Sequence, residues 1–361
     1  MSRFSSLTAV GFFFFLTACA QQVTEDQEPI KIGGAFALSD FGAEWGEAEL
    51  NGATLAIEEQ NARGGIRGRK VELVAEDTAT NALKTVTATR KLIDIDQVEV
   101  MVGPTWFDSF AGPAPIADQE EVVMLTPSAA ITAVQGDNPH PYVFSTWFRS
   151  DEESREIARY LAKIGQKRIA FFFGLDPFWD DVSAKAREEA QKLGVEIVKD
   201  ITVQGNDSDF RTMLTQLKKI EPDVILFGFN NKKQFAAFLK QRAEIYPNSP
   251  LFTTEYIEEF LDNPDYAPLL APMWYIAPKV EESAFTKKYR DRFGKDPVFS
   301  ASNSYDATNM ILEAFKLGKT TGPAIREFLA ENMFETVTFG KLKFDEIGGV
   351  KGGAFIIKEV K

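Results

Sequence analysis

From Ile30 onward, short apolar runs alternate with stretches of helical period, roughly every 15 residues, the pattern left by strands and covering helices in a parallel α/β sheet. Lys31 to Leu38 is the first apolar run. Leu50, Ala53, Ile57 and Gln60 then recur at helical spacing within Glu47 to Asn61, and Gly64-Gly65 stops that helix. Val71, Leu73 and Ala75 alternate with Glu72, Val74 and Glu76 as a strand does, before Ala82, Val86, Thr89 and Ile93 restore a helical period. Val98 to Val102 and Val122 to Leu125 read as two further buried strands.

A second series begins near Ser150. Ser150 and Glu153 have capping-box spacing, which predicts a helix running through Ile157 and Leu161. Strands are expected at Arg168 to Phe173, Val195 to Val198, Val224 to Phe229 and Leu251 to Thr254. Helices are expected at Asp181 to Leu193, Phe210 to Ile220 and Gln234 to Ala243. The architecture this implies is α/β: two successive doubly wound sheets with a cleft between them. A chain of 361 residues suits two such units better than one compact core.

Composition narrows the chemistry. With 53 acidic and 40 basic side chains the formal net charge is -13, which repels phosphate backbones and argues against a nucleic-acid partner. Cys19 is the only cysteine and His140 the only histidine, so no internal disulfide and no Cys/His metal cluster is expected. His140 lies in Asn138-Pro139-His140-Pro141, which reads as a surface turn, so histidine-dependent catalysis has no candidate. Gly33-Gly34-Ala35-Phe36-Ala37-Leu38-Ser39 lacks dinucleotide-binding glycine spacing, and the chain has neither a Gly-x-Ser-x-Gly elbow nor a Walker A loop. No enzyme and no cofactor is expected.

The chain opens MSRFSSLTAVGFFFFLTACAQQ. Arg3 precedes an apolar run from Leu7 to Leu16, much shorter than the roughly 20 residues that span a bilayer, so residues 1–18 read as a signal peptide. Leu16-Thr17-Ala18-Cys19 resembles the lipobox of bacterial lipoproteins, which implies lipidation at Cys19. Residues 19–29 are polar, acidic and aperiodic, as a tether is. A lipid anchor is then the only membrane attachment expected.

Asn51-Gly52-Ala53, the run Asn61-Ala62-Arg63-Gly64-Gly65-Ile66-Arg67-Gly68-Arg69-Lys70-Val71-Glu72-Leu73, and Thr126-Pro127-Ser128-Ala129 resemble the leucine/isoleucine/valine-binding protein family. Lys167-Arg168-Ile169-Ala170, Pro222-Asp223-Val224, Phe293-Gly294-Lys295-Asp296-Pro297 and Ser304-Tyr305-Asp306-Ala307 continue the resemblance in the same order. It implies a type I periplasmic-binding fold, two α/β lobes joined by three hinge crossings that close on a solute. The first lobe would hold 30–146 and 279–350, the second 147–278 and 351–361, with crossings near Thr146, Pro278 and Gly352. The implied role is an extracytoplasmic solute-binding lipoprotein of an ABC importer, partnered by a small-molecule solute and a permease. A sensory ligand-binding protein of the same fold is the alternative.

The resemblance also implies a pocket. Trp45 matches an aromatic over the ligand, Glu255 the acid that receives an ammonium group, and Tyr256 follows it. Ser128, Ala129 and Ala130 stand where the family has Ser-Ala-Thr, and Phe107, after Trp106, stands where it offers serine. Phe178 and Phe229 replace tyrosines of the second-lobe wall, so four hydroxyls are lost together. Backbone N–H groups near Thr105 and Ala129 remain to receive a carboxylate. With Trp147 and Trp179 added, the aromatic surface favours an apolar or flat solute, and one carboxylate among aromatics suits a quaternary ammonium group. Asp306 matches an acid with a structural role.

If Cys19 carries the lipid, Cys19→Ser moves the protein out of the membrane fraction, and the wild-type N-terminal peptide shows acyl mass by mass spectrometry. Membrane partitioning unchanged by the substitution, with no lipid mass on wild type, contradicts the anchor.

Overall fold

The computed structural model describes residues 28–360, apart from 107–109, 136–138, 206, 230, 262, 271, 280–283 and 352–354. The expected signal peptide, Cys19, most of the tether, Phe107 and the crossing near Gly352 lie outside the described residues. No helix among the described residues is long and apolar enough to cross a membrane.

The first sheet is parallel throughout, in the order β2-β1-β3-β4-β5. Its strands are β1 (Ile30–Phe36), β2 (Val71–Asp77), β3 (Val100–Val102), β4 (Val123–Thr126) and β5 (Val143–Ser145). The sequence explains the order. β3 and β4 are buried at every position, as central strands covered on both faces must be. β2, at the edge, exposes acids along its length.

The second sheet runs β13-β10-β9-β8-β6-β7. It comprises β6 (Arg168–Gly174), β7 (Glu196–Val203), β8 (Val224–Gly228), β9 (Leu251–Thr253), β10 (Met273–Pro278) and β13 (Phe355–Val360), and only β13 is antiparallel, against β10. A two-stranded hairpin, β11 (Met333–Thr336) with β12 (Gly340–Lys343), stands apart from both sheets.

Chain order and sheet membership differ. After β10 the chain returns to the first sheet, where the helix Phe299–Lys316 packs on the helix Ala43–Ala62 and both enter one core with β1, β3 and β4. Only β13 then goes back, so the chain passes between the bodies three times. Gly52 permits the helix pair to approach closely: a Cβ there would lie 2.1 Å from the Ala301 carbonyl oxygen. Ser304 Oγ donates to the Glu49 carbonyl across the same seam (2.7 Å). Asp306 is structural, its carboxylate receiving the N–H groups of Val337 (2.9 Å) and Thr338 (3.0 Å).

At the first crossing the Thr146 hydroxyl donates to the Asn303 carbonyl (3.2 Å). Arg149 just beyond it holds Asp151 (2.8 Å) on one side and Asp345 on the other. The expected capping box is not made. Arg149 occupies the cap position of the helix Ser150–Lys163, and Ser150 Oγ is engaged by Thr132 and Asp181. Glu153 turns inward because it shares the buried stripe of Ile157 and Leu161, four and eight residues on. The next helix, Pro177–Lys192, begins a turn earlier than its apolar period suggested, since Asp176 caps it by accepting the Phe178 N–H (2.9 Å).

Gly52→Ala forces a methyl group against the Ala301 carbonyl and should cost about 1–3 kcal/mol, as overpacking does. Urea unfolding measures it. A variant as stable as wild type means that the helices part without penalty.

Candidate functional site

Parallel sheets place their functional loops beyond the strand carboxyl ends. Both sheets here direct those ends at one another. Beyond β1 comes Trp45, in the first turn of its helix. Trp106 follows β3, Ser128 and Ala130 follow β4, and Trp147 follows β5. From the other side come Phe178 and Trp179 after β6, and Thr254, Glu255 and Tyr256 after β9. These residues line a single cavity of about 60 Å³. That is room for a few waters, against roughly 300–1,000 Å³ for a ligand pocket, so the bodies are closed and the walls fill their own cleft.

The walls pack ring on ring. Trp45 lies 5.9 Å from Trp106 and 5.6 Å from Trp147, centroid to centroid. Trp179 stacks on Phe173 at 5.3 Å and meets Phe178 edge-on at 4.9 Å. It has space because β8 ends in Gly228, where a Cβ would lie 2.2 Å from the indole. Trp106 holds φ at +62°, a left-handed conformation that a bulky side chain rarely adopts and that turns up at binding loops.

Of the buried acids Glu255, Glu153 and Glu49, Glu255 alone is among the residues that line the cavity. Glu255 is 8% exposed, and its Oε2 has no hydrogen-bond partner. Burial raises its pKa to about 8; its own backbone N–H lowers it and Glu258 raises it further. Glu153 is fully buried with neither carboxyl oxygen partnered, and its pKa is raised by burial and then by the charge of Glu255. On the opposite side Glu49, also fully buried, accepts from Thr105 Oγ1 (2.6 Å) and leaves Oε1 unpaired. Burial raises its pKa to about 8 although the hydroxyls of Ser128 and Thr105 lower it. Among the described residues lining the cavity, none is basic.

The structure brings together Trp45, Trp106, Ser128, Ala130, Phe178, Glu255 and Tyr256 as read from the sequence. Two residues are corrected. Phe229 does not line the cavity: it is fully buried in the second body, stacked on Phe210 at 5.7 Å and packed against Phe238. Ala129 is also interior. Its N–H donates to Thr126 Oγ1 (3.2 Å) and its carbonyl accepts from Ser145 Oγ (2.6 Å). Two of the amides expected to await a carboxylate are therefore occupied, that of Ala129 and that of Trp106, which donates to Ser128 Oγ (3.0 Å). Phe107 lies outside the described residues. Sequence reading took Glu153 for a capping residue and passed over Glu49, although each falls in step with an apolar helical stripe, a signal for a buried acid.

A wider groove of about 850 Å³ lies between His140, Arg326, Lys341, Lys343 and Lys351. It contains none of the unpaired buried side-chain atoms, whereas the lining of the aromatic cleft includes Glu255 with its unpaired Oε2.

Comparison with known proteins agrees with this architecture. A family model described as periplasmic binding protein matches residues 29–361. The chain is 24% identical to the leucine-, isoleucine-, valine-, threonine- and alanine-binding protein of Pseudomonas aeruginosa, over 99% of this chain and 94% of that protein. Its structure resembles the branched-chain amino acid transporter substrate-binding protein LivJ of Streptococcus pneumoniae in complex with isoleucine, with TM-score 0.80, 26% identity, and 92% and 100% of the two chains covered. A solute-binding protein of an ABC transporter from R. palustris in complex with benzoate shares the fold, with TM-score 0.79, 20% identity, and 92% and 94% covered.

The acids set a pH dependence. Folded, Glu255 and Glu49 keep their protons until about pH 8, whereas unfolded they release them near 4.5. Between those values the unfolded chain binds fewer protons. Stability is therefore greatest below about pH 4.5 for these groups and falls as pH rises to 8, by at most about 1.4 kcal/mol per pH unit for each carboxyl. Urea unfolding of the solute-free protein should show that decline, and Glu255→Gln should flatten it. Coincident profiles would contradict it.

Proposed function

The chain belongs to the periplasmic binding protein family, and on that footing we propose that it is the solute-binding component of an ABC importer. It is held at the outer face of a bacterial membrane by lipid on Cys19. The solute is a small organic molecule with an apolar or aromatic body and a cationic group directed at Glu255. One observation supports this above others: an unpaired, buried carboxyl opening into a cavity walled by tryptophan, phenylalanine and tyrosine.

Each part of the wall has a physical task. A cation over an aromatic face gains about 0.5–2 kcal/mol, more where water is excluded. The same cation gives the Glu255 carboxylate a partner and returns its pKa toward the ordinary carboxylate range. The apolar body takes the surface that Trp45, Trp106, Trp147 and Phe178 cover in one another when the cleft is closed. A 60 Å³ cavity admits no such solute, so the lobes part at their three crossings and close again around it. A closed, loaded form distinct from the open one is what a permease would recognise.

Titration calorimetry should compare 2-phenylethylamine and isoamylamine with the alcohols of the same skeletons. The amines are expected to bind and the alcohols at least tenfold more weakly, with Glu255→Gln abolishing most of the difference. At a hundred times its dissociation constant an amine adds about 2.7 kcal/mol of stability. Small-angle scattering should show a smaller radius of gyration on saturation. Alcohols that bind as well as amines, or amine binding indifferent to Glu255→Gln, would overturn the reading.

A further inference from the structure

The wider groove shares no residue with the aromatic cleft and belongs to the first body, up to the start of the third crossing at Lys351. Val143 and Phe144, the first residues of β5, form part of its floor, so it opens at the amino ends of the strands. Pro139, Pro141, Phe344 and Ile347 extend that floor with apolar surface. Arg326, Lys341, Lys343 and Lys351 stand round it, on a chain whose formal net charge is -13. We propose that this groove docks an extended acidic peptide segment of a partner protein, with carboxylates seated on Lys341, Lys343 and Arg326.

The charges that line the groove do not cancel. Asp345 is engaged by Arg149 and by the N–H groups of Ile347 (3.0 Å) and Gly349 (2.9 Å). Glu346 holds Lys351 at 3.2 Å, and His140 Nδ1 meets Asp118 at 2.6 Å. Three cations remain. Arg326 donates through Nε to the Pro141 carbonyl (3.0 Å) and lies 5.7 Å over the Tyr142 ring, but pairs with no carboxylate among the described residues. Lys341 reaches Glu335 only at 3.8 Å, with both side chains exposed. The Lys343 ammonium has neither an ion pair nor a hydrogen bond among the described residues.

The hairpin gives those cations a spacing. Met333 faces Lys343 and Glu335 faces Lys341 across β11 and β12, so these four share the outward face while Phe334 and Leu342 enter the first core. Lys341 and Lys343 are two residues apart on one strand, which separates them by about 6.6–7 Å. Carboxylates at alternate positions of an extended peptide have the same separation. β12 has β11 on one side and no strand on the other among the described residues, so a peptide laid along its free edge would set every second side chain on the groove face. Glu335 already shows an acid opposite Lys341 from the paired side.

Lysines on a free edge also serve to keep strands from pairing. That role needs neither an arginine brought in from the helix Gly322–Glu331 nor an apolar floor between the two. The size agrees as well, since about 850 Å³ lies within the roughly 300–1,000 Å³ of ligand sites. The net charge of -13 decides the class of partner. A broad anionic surface, whether membrane or nucleic acid, meets repulsion beyond the groove, whereas a short acidic segment meets the groove alone.

The test uses the purified full-length protein and calorimetry with short peptides, and does not depend on the identity of the solute. A heptapeptide alternating threonine and glutamate, blocked at both ends, is compared with one of the same composition whose glutamates are contiguous, and with one carrying lysine for glutamate. The alternating acidic peptide should bind, the contiguous one about threefold more weakly, and the lysine peptide not measurably. Lys341→Gln with Lys343→Gln, both at exposed positions, should weaken the alternating peptide by about fivefold or more, with the melting temperature unchanged. Raising the salt from about 50 to 200 mM should weaken it severalfold. Acidic and lysine peptides that bind alike, or acidic binding unmoved by the double substitution, would overturn the inference. Equal affinity for the contiguous peptide overturns the alignment along β12. Phosphatidylglycerol vesicles that retain the wild type better than the double variant, with no acidic peptide bound, would overturn it in favour of a lipid surface.

Discussion

In a parallel sheet every strand delivers its carboxyl end to the same edge, and the rest of this molecule depends on that constraint. Two such sheets facing edge to edge bring Trp45, Trp106, Trp147, Phe178 and Tyr256 onto one small volume from segments far apart in sequence. The helices that cover the sheets supply what stands behind the lining. Glu49 belongs to one of them and Glu153 to another, so the acids are fixed on rigid elements while the aromatic rings sit in loops and first turns.

The cleft therefore combines two tendencies that oppose one another in the empty protein. Aromatic surface favours closure, because each ring covers its neighbours. Unpaired carboxyls oppose it, because a buried acceptor without a donor costs about 1–3 kcal/mol, and more when charged. Protonation relieves part of that cost, which is why these carboxyls hold their protons so far above the ordinary range. Other contacts join the bodies away from the cleft: Lys232 with Glu44 at 3.3 Å, both exposed, Thr132 with Asp181 at 3.0 Å, and Arg149 with the buried carboxylate of Asp345 beside the first crossing.

Much of the fold was legible because burial on both faces leaves continuous apolar runs, and β6 and β8 were read from such runs almost to the residue. β7 was read too short. Its outer half alternates Lys199, Asp200 and Thr202 with Ile201 and Val203, an edge pattern weaker than a core run. The start of the helix Pro177–Lys192 was missed because a cap, not an apolar period, sets it. At the site, residues immediately after strands were legible by position. Phe229 misled because it follows β8 at the correct place along the chain while its ring points back into the second core beside Phe210, Phe235 and Phe238, a choice of direction that order along the chain does not carry. Glu153 misled in the opposite sense. Its spacing from Ser150 fits a cap, and only the packing of the neighbouring helix, which engages Ser150 through Asp181, frees the glutamate to turn inward.

The indole of Trp179 rests on the bare backbone of Gly228, a strand residue outside the cavity lining. A methyl group there would begin 2.2 Å from the ring, where ordinary contact starts near 3.4 Å, so the ring would have to shift by about an ångström toward the cleft. The capacity of the site is thus governed from beneath its floor. Evolution can resize such a cleft without touching any group that meets the solute, by exchanging one hydrogen atom for a carbon in the sheet below.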